Sequence, residues 1–296
     1  VNDSEFDGDA HSGQNYDAST AARLLNEAER VGARSLARTD FRAHAVIQGW
    51  SAAGLFVYVA TFLLLFGNPN SSASAVGSGY AHANVLMIPL LVLIQLVQGA
   101  RNRLPVSSAP LRRGIQLPLI LWSTIVFLAA GTATLLGVEY PWWMSLLVAA
   151  AVAVPLGGLA IGTSGKARQT TSHPSDASPR PPLSRTAAVV TAGLGAYFGV
   201  IAAVTPYSWF PLAAMLFFLA LLVQLVGWSA RWGLPRVGSE WGQPQWAAFG
   251  ITFTLLFAIT IIAAKTEWNT PLVATISGIV IAAPLACSTI RTYRWQ

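Results

Sequence analysis

Between Arg42 and Arg101 the chain carries no Asp, Glu, Lys or Arg. A water-soluble domain needs charge on its surface, so a stretch this long without any has little surface facing water. The bias runs through the whole sequence. Charged residues make up 10% of its 296 positions and apolar residues 54%, with a mean hydropathy of +0.53; soluble domains carry roughly 25% charge. The chain therefore reads as an all-α, polytopic integral membrane protein. One crossing takes about 20 apolar residues, because ~30 Å of hydrocarbon is spanned at ~1.5 Å per residue. Eight segments meet or nearly meet that length: Ala45–Phe66, Ala83–Ala100, Leu117–Val138, Pro141–Gly162, Ala187–Val204, Tyr207–Trp228, Trp246–Ala264 and Pro271–Thr289. None holds a charged side chain, which would cost roughly 2.5–3.5 kcal/mol at a helix centre. The fifth segment is short and rich in Gly and Ala, and the turn Thr205-Pro206-Tyr207-Ser208 after it is tight. The alternative there is a re-entrant pair.

Orientation follows from the loops. With the N terminus in the cytoplasm, seventeen of the eighteen basic residues face inward, and Lys265 alone faces out. This is the positive-inside asymmetry, and both ends are then cytoplasmic. The net charge of +6 matches anionic lipid headgroups and gives no reason to invoke nucleic acid. Trp142, Trp143, Trp209 and Trp268 fall at expected outer ends; Trp228, Trp232, Trp241, Trp246 and Trp295 fall at or near inner ends. Indole favours the headgroup level there. Trp50 and Trp122 sit deeper, against other helices. Residues 1–17 are acidic and polar, unlike a secretory leader, so the first span reads as a permanent anchor. Two lysines against sixteen arginines, with abundant alanine, point to a GC-rich bacterial genome and hence a bacterial inner membrane.

The two halves resemble each other. Ala53-Gly54-Leu55 with Tyr58 matches Ala192-Gly193-Leu194 with Tyr197; Gln95-Leu96-Val97 matches Gln224-Leu225-Val226; Ala100-Arg101 and Leu104-Pro105 match Ala230-Arg231 and Leu234-Pro235; Pro155-Leu156 matches Pro284-Leu285. Chance similarity among apolar helices is the competing explanation, but four matches in order favour duplication. Four spans per half make the repeats parallel, related by an axis near the membrane normal. The expected layout is a cytoplasmic tail (1–44), a first four-helix repeat (45–162), a flexible linker (163–186), a second four-helix repeat (187–289) and a cytoplasmic tail (290–296). Residues 20–38 fit an amphipathic helix, with Leu24, Ala28 and Val31 on one face and Arg30, Arg34 and Arg38 on another. Such a helix lies on the inner leaflet, docks on a partner, or simply stands in water.

The candidate site residues are few. Gln95 and Gln224 occupy matched positions and either line a pathway or bond neighbouring helices. Pro155 and Pro284 each remove a backbone donor within a span, forming a hinge or fixing a static bend. Arg30, Arg34, Arg38, Arg101 and Arg231 are candidate contacts for headgroups or a partner. Gly158-x-x-x-Gly162 and Gly195-x-x-x-Gly199 are spacings that let helices approach closely. His82 and His44 stand alone and read as interfacial, and the lone Cys287 gives no metal-ligand spacing. Gly162-Thr163-Ser164-Gly165 resembles the Gly-x-Ser-Gly of rhomboid proteases, but no later span supplies a histidine base. No catalytic, cofactor or metal site is expected, and the chain does not read as an enzyme.

The expected function is a permease-like membrane subunit of a transport system without its own energy source, served by an ATPase or regulator. Ion-coupled carriers usually place ionisable groups within the membrane, and this chain has none there. The alternative is a non-transporting scaffold, regulator or immunity-type protein. A water-filled cavity through the duplicated bundle favours transport; a packed bundle with an exposed apolar groove favours the alternative.

Overall fold

The computed structural model describes residues 20, 21, 23, 24, 26, 27, 41–66, 74–103, 113–136, 138, 140–169, 183–227, 230, 232–266 and 268–292. Among them the regular elements are all helices: α1 (Phe41–Phe66), α2 (Ser74–Arg103), α3 (Arg113–Leu135), α4 (Trp142–Gln169), α5 (Arg185–Ala203), α6 (Phe210–Val226), α7 (Leu234–Glu240), α8 (Gln243–Lys265) and α9 (Pro271–Thr292). Every expected apolar segment is a helix. Six are long and apolar enough to cross a membrane, and the apolar stretches of α3 (Pro118–Thr134) and α6 (Phe210–Val226) are shorter.

Several boundaries differ from expectation. Helix α6 begins at Phe210 rather than Tyr207, because Pro206 breaks the chain into the turn 204–209 and Pro211 restarts it in the first helical turn. At 17 residues it spans about 25 Å. Helix α2 starts at Ser74, inside what reads as a long outer loop, and α4 runs through Gln169, past the expected start of the linker. Polar residues alone do not stop a helix once its backbone bonds propagate. The short helix α7 lies where a loop is expected. Of the expected helix over residues 20–38, residues 20, 21, 23, 24, 26 and 27 are helical and Leu24 is exposed; Ala28, Val31, Arg30, Arg34 and Arg38 lie outside the described residues, as do the side chain of His82, Trp228 and Trp295.

Helix pairing has a clear order. The most extensive pair is α1 with α4, followed by α5 with α9. In lipid there is little hydrophobic drive between helices, so small residues at the crossings govern how closely they pack. Gly199 and Gly278 meet where α5 crosses α9: a Cβ on either would stand 2.5 Å from the other's carbonyl oxygen. Gly195 packs one turn away, against Ala282 and Leu285. The Gly195-x-x-x-Gly199 spacing therefore serves packing within the chain, whereas a Cβ on Gly158 or Gly162 would meet nothing within 4 Å. At the α1–α4 crossing Ala60 and Ala149 are buried together. Ala149 and Gly278 are separated by 129 residues, and the hydrogen bonds beside them follow the same interval. Ser123 Oγ donates to the Val152 carbonyl and Thr252 Oγ1 to the Ile281 carbonyl, each at 3.0 Å.

Contacts between the halves are not reciprocal. Helix α8 packs on α1 and α2, whereas α3 packs mainly on α4 and, more lightly, on α1 among the described residues. Helix α2 also carries α6 and α7. The α2–α7 junction is backbone against backbone. Gly99 faces Pro235, and Gly238 faces Leu96.

Candidate functional site

The seam between the halves is built from aromatic residues at helical spacing. On α8, Trp246, Phe249, Phe253 and Phe257 form one stripe, with Phe253 and Phe257 stacked at 4.5 Å between ring centroids. Trp50 of α1 stacks on Trp246 at 6.3 Å. Its ring fits because residue 250 is glycine; a Cβ there would collide with the indole. Farther along, Phe257 meets Tyr58 edge-on at 6.4 Å, and Tyr58 continues to Phe62 and Phe127. Offset and edge-to-face pairs of this kind add about 0.5–1.5 kcal/mol each beyond their burial. Beside the stripe, Ala53, Gly54, Val57, Leu93 and Gly250 line a small apolar notch of ≈ 40 Å³.

At the α7 end of the bundle, hydrogen bonds tie the helices of the second half to one another. Trp241, between α7 and α8, is buried, and its Nε1–H donates to Thr191 Oγ1 on α5 at 2.9 Å. Trp246 is also buried. Both tryptophans are covered by protein, and a partner on α5 takes the Trp241 donor that would otherwise need water. Ser184 Oγ caps α5 by accepting from Ala187 N, while Ser184 N donates to the Glu240 carboxylate at 3.1 Å. The carboxylate thus sits at the positive end of the α5 dipole. Gln245 accepts from Gly242 N and donates to the Ser288 carbonyl, tying the start of α8 to α9. At the opposite end, Thr205 Oγ1 donates to Asn269 Oδ1 and joins the turn after α5 to the turn before α9. Trp142, Trp143, Trp209 and Trp268 are exposed. Trp122 is exposed too, but it does meet another helix as expected: its Nε1–H donates to the Ala151 carbonyl of α4.

The residues singled out in the sequence do not converge. Gln95 is half-buried on α2. Gln224 does not bond across to it; its amide donates to the Trp232 carbonyl at 3.1 Å and closes the corner after α6. Pro155 and Pro284 lie inside continuous helices. Both of those helices are engaged in the heaviest packing of their halves. Arg101 is exposed near the end of α2, and Arg231 lies outside the described residues. His44 is within 3.2 Å of Gln48, one turn on in the same helix. The residues that do converge, Trp241, Thr191 and Gln245, were missed. A signal was available in Gly242-Gln243-Pro244-Gln245, a helix start with Pro in the first turn and Gln at its third position.

Chemically the seam can exclude water and hold helices in register. Among the described residues no Asp, Glu, Lys or Arg is buried, and the buried polar side chains are Gln, Ser and Thr. Most of their hydroxyls donate to carbonyls of their own or adjacent helices. No three His, Cys, Asp or Glu side chains gather as metal ligands among the described residues. No family model, curated protein or solved structure matches the chain.

Proposed function

We propose that the chain is a duplicated eight-span membrane protein that serves as a non-transporting interaction subunit, a scaffold or regulator for a partner in the same membrane. The observation that carries this reading is the filled seam. The surface where two halves of a carrier would part to admit a solute is occupied by Trp50, Trp246, Phe249, Phe253 and Phe257, with no buried charge beside them among the described residues. Duplication is supported by the pairing of first with fourth helix in each half, by the matched hydroxyl-to-carbonyl bonds of Ser123 and Thr252, and by the small-residue crossings at Ala149 and Gly278. A permease-like role in a transport system remains the second reading, favoured by the prolines within α2, α4 and α9. Proline removes a helical bond and supplies a place to bend.

Purified protein in proteoliposomes separates the two readings. The scaffold reading expects no protein-dependent flux of ions or small solutes, together with a stoichiometric partner that co-purifies from native membranes. Co-purification of an ATPase whose hydrolysis depends on this chain would overturn it in favour of transport.

Topology is a second test. Eight spans with both ends inside predict external signals from reporter fusions at Glu139 and Tyr207, and internal ones at Arg112, Ser175 and Gln296. The charge asymmetry of the loops motivates this expectation. An internal signal at Tyr207 would remove α5 and α6 as full spans, leaving a re-entrant pair.

A further inference from the structure

We propose that a second copy of this chain docks on the exposed face of α3, using the face of α5 and α6 that is unoccupied within one chain. The inference rests on the duplication proposed above. Within the chain, Phe249, Gly250, Phe253 and Phe257 of α8 face Trp50, Ala53, Val57 and Tyr58 of α1. The 129-residue interval set by the Ser123 and Thr252 bonds places Ile120, Leu121, Thr124 and Leu128 of α3 at the positions of those α8 residues. All four are exposed: Ile120 is 67% accessible where Phe249 is 1%. The interval of 139 residues between α1 and α5 places Val189, Ala192, Ala196 and Tyr197 at the positions of the α1 face. Of these, Val189 and Ala196 are exposed, as is the adjacent Gly193, where a Cβ would meet nothing within 4 Å, while Ala192 is half-buried and Tyr197 turns to Phe217 of α6. Leu93 of α2, which lines the same notch as Phe249 and Gly250, is buried, and Leu222 of α6, 129 residues later, is exposed.

The contact between the halves is therefore one-way. The first half offers its α1 and α2 face to α8, and the second half never offers its α5 and α6 face to α3. The likeness holds for α1 and α5 rather than for the whole half, since α6 packs on α2 more than on α5; a one-way contact between like helices still leaves one unused copy of each side, and further copies can use both. The smallest ring that satisfies both is a dimer with two α3-to-α5 seams. The occupant is another copy of this chain because the exposed α3 face matches in position a face already shown to fit its complement.

Disulfide or short-spacer cross-linking in native membranes tests this. Cys287 is the only cysteine, so the work starts from a Cys287→Ala protein. Ile125→Cys with Ala192→Cys should give covalent dimers, and Thr254→Cys with Ala53→Cys, at the matched positions within one chain, should link internally without a change of mass. Gly193→Trp, on open surface, should lower the dimer yield at least tenfold while leaving the internal link intact. An internal link without dimers would overturn the dimer proposal and leave the duplication standing. Failure of the internal link would sink both. Dimers that persist with Gly193→Trp would show that the cysteines link without the α5 face seated on α3, and would also overturn it.

Discussion

Replacing Gly99 with leucine is expected to unseat α7 and cost more stability than any comparable change on an open helix face. A Cβ on Gly99 would overlap the carbonyl oxygen of Pro235 and stand 2.6 Å from its Cα. These are backbone atoms on a short helix whose Leu234, Pro235, Val237 and Gly238 are all buried, so the neighbour cannot yield by turning a side chain. The contact is doubled from the other side, where a Cβ on Gly238 would lie 2.8 Å from the Leu96 Cα. Overpacking a well-filled site typically costs about 1–3 kcal/mol, and the backbone clash puts Gly99→Leu at or above the top of that range. For a chain of this size that corresponds to a fall in melting temperature on the order of 10 °C. Gly131→Leu, on the open face of α3, is the matched control: a Cβ there meets nothing within 4 Å. Tryptophan fluorescence during heating of detergent-solubilised protein reads both. If Gly99→Leu melts with Gly131→Leu, α7 does not dock on α2.

The same helix marks where reading the sequence stops working. Eight apolar stretches were legible because absence of charge over a membrane's thickness leaves the backbone one way to satisfy its hydrogen bonds, the helix. Leu234-Pro235-Arg236-Val237-Gly238 has no such length. Its two apolar residues three apart are a weak signal beside a proline, an arginine and a glycine, and only the fit of Gly238 against Leu96 shows why a helix is stable there. Pairwise matches such as Pro155 with Pro284 gave a repeat interval, but the hydroxyls that make the same bond in each half, Ser123 and Thr252, are different residues and escape an identity comparison. Periodicity also could not tell an exposed stripe from a buried one. Ile120-Leu121 on α3 and Phe249-Gly250 on α8 are both apolar, yet one pair faces outward and the other fills the seam. The candidate site suffered most. Glutamines and prolines stand out as unusual groups in apolar helices, whereas the groups that join elements, Trp241 to Thr191 and Gln245 to Ser288, look like ordinary loop and helix-end residues until α5, α8 and α9 are brought together.

The α5–α9 crossing yields the other large effect, and it bears on duplication directly. Gly199→Ala and Gly278→Ala should each destabilise by about 1–3 kcal/mol, because each new Cβ would stand 2.5 Å from a carbonyl oxygen on the facing helix. The α1–α4 crossing, which the proposed duplication pairs with this one, already accommodates two methyl groups, on Ala60 and Ala149, both buried. The double variant Gly199→Ala with Gly278→Ala thus gives the second crossing the side chains of the first. Most of the cost of either single change is the work of separating α5 from α9. Once that separation is made, the second methyl enters space already opened, so the double variant should lose clearly less than the sum of the two singles. A coupling of roughly 0.5–3 kcal/mol is usual for residues in contact. A thermal or denaturant unfolding cycle over the four proteins measures it. The reverse change, Ala60→Gly, should cost about 1 kcal/mol from helix propensity, plus whatever void the first crossing fails to close. Strict additivity of the two glycine substitutions would show that α5 and α9 do not meet at these residues, and the correspondence between the two crossings would be lost with that contact.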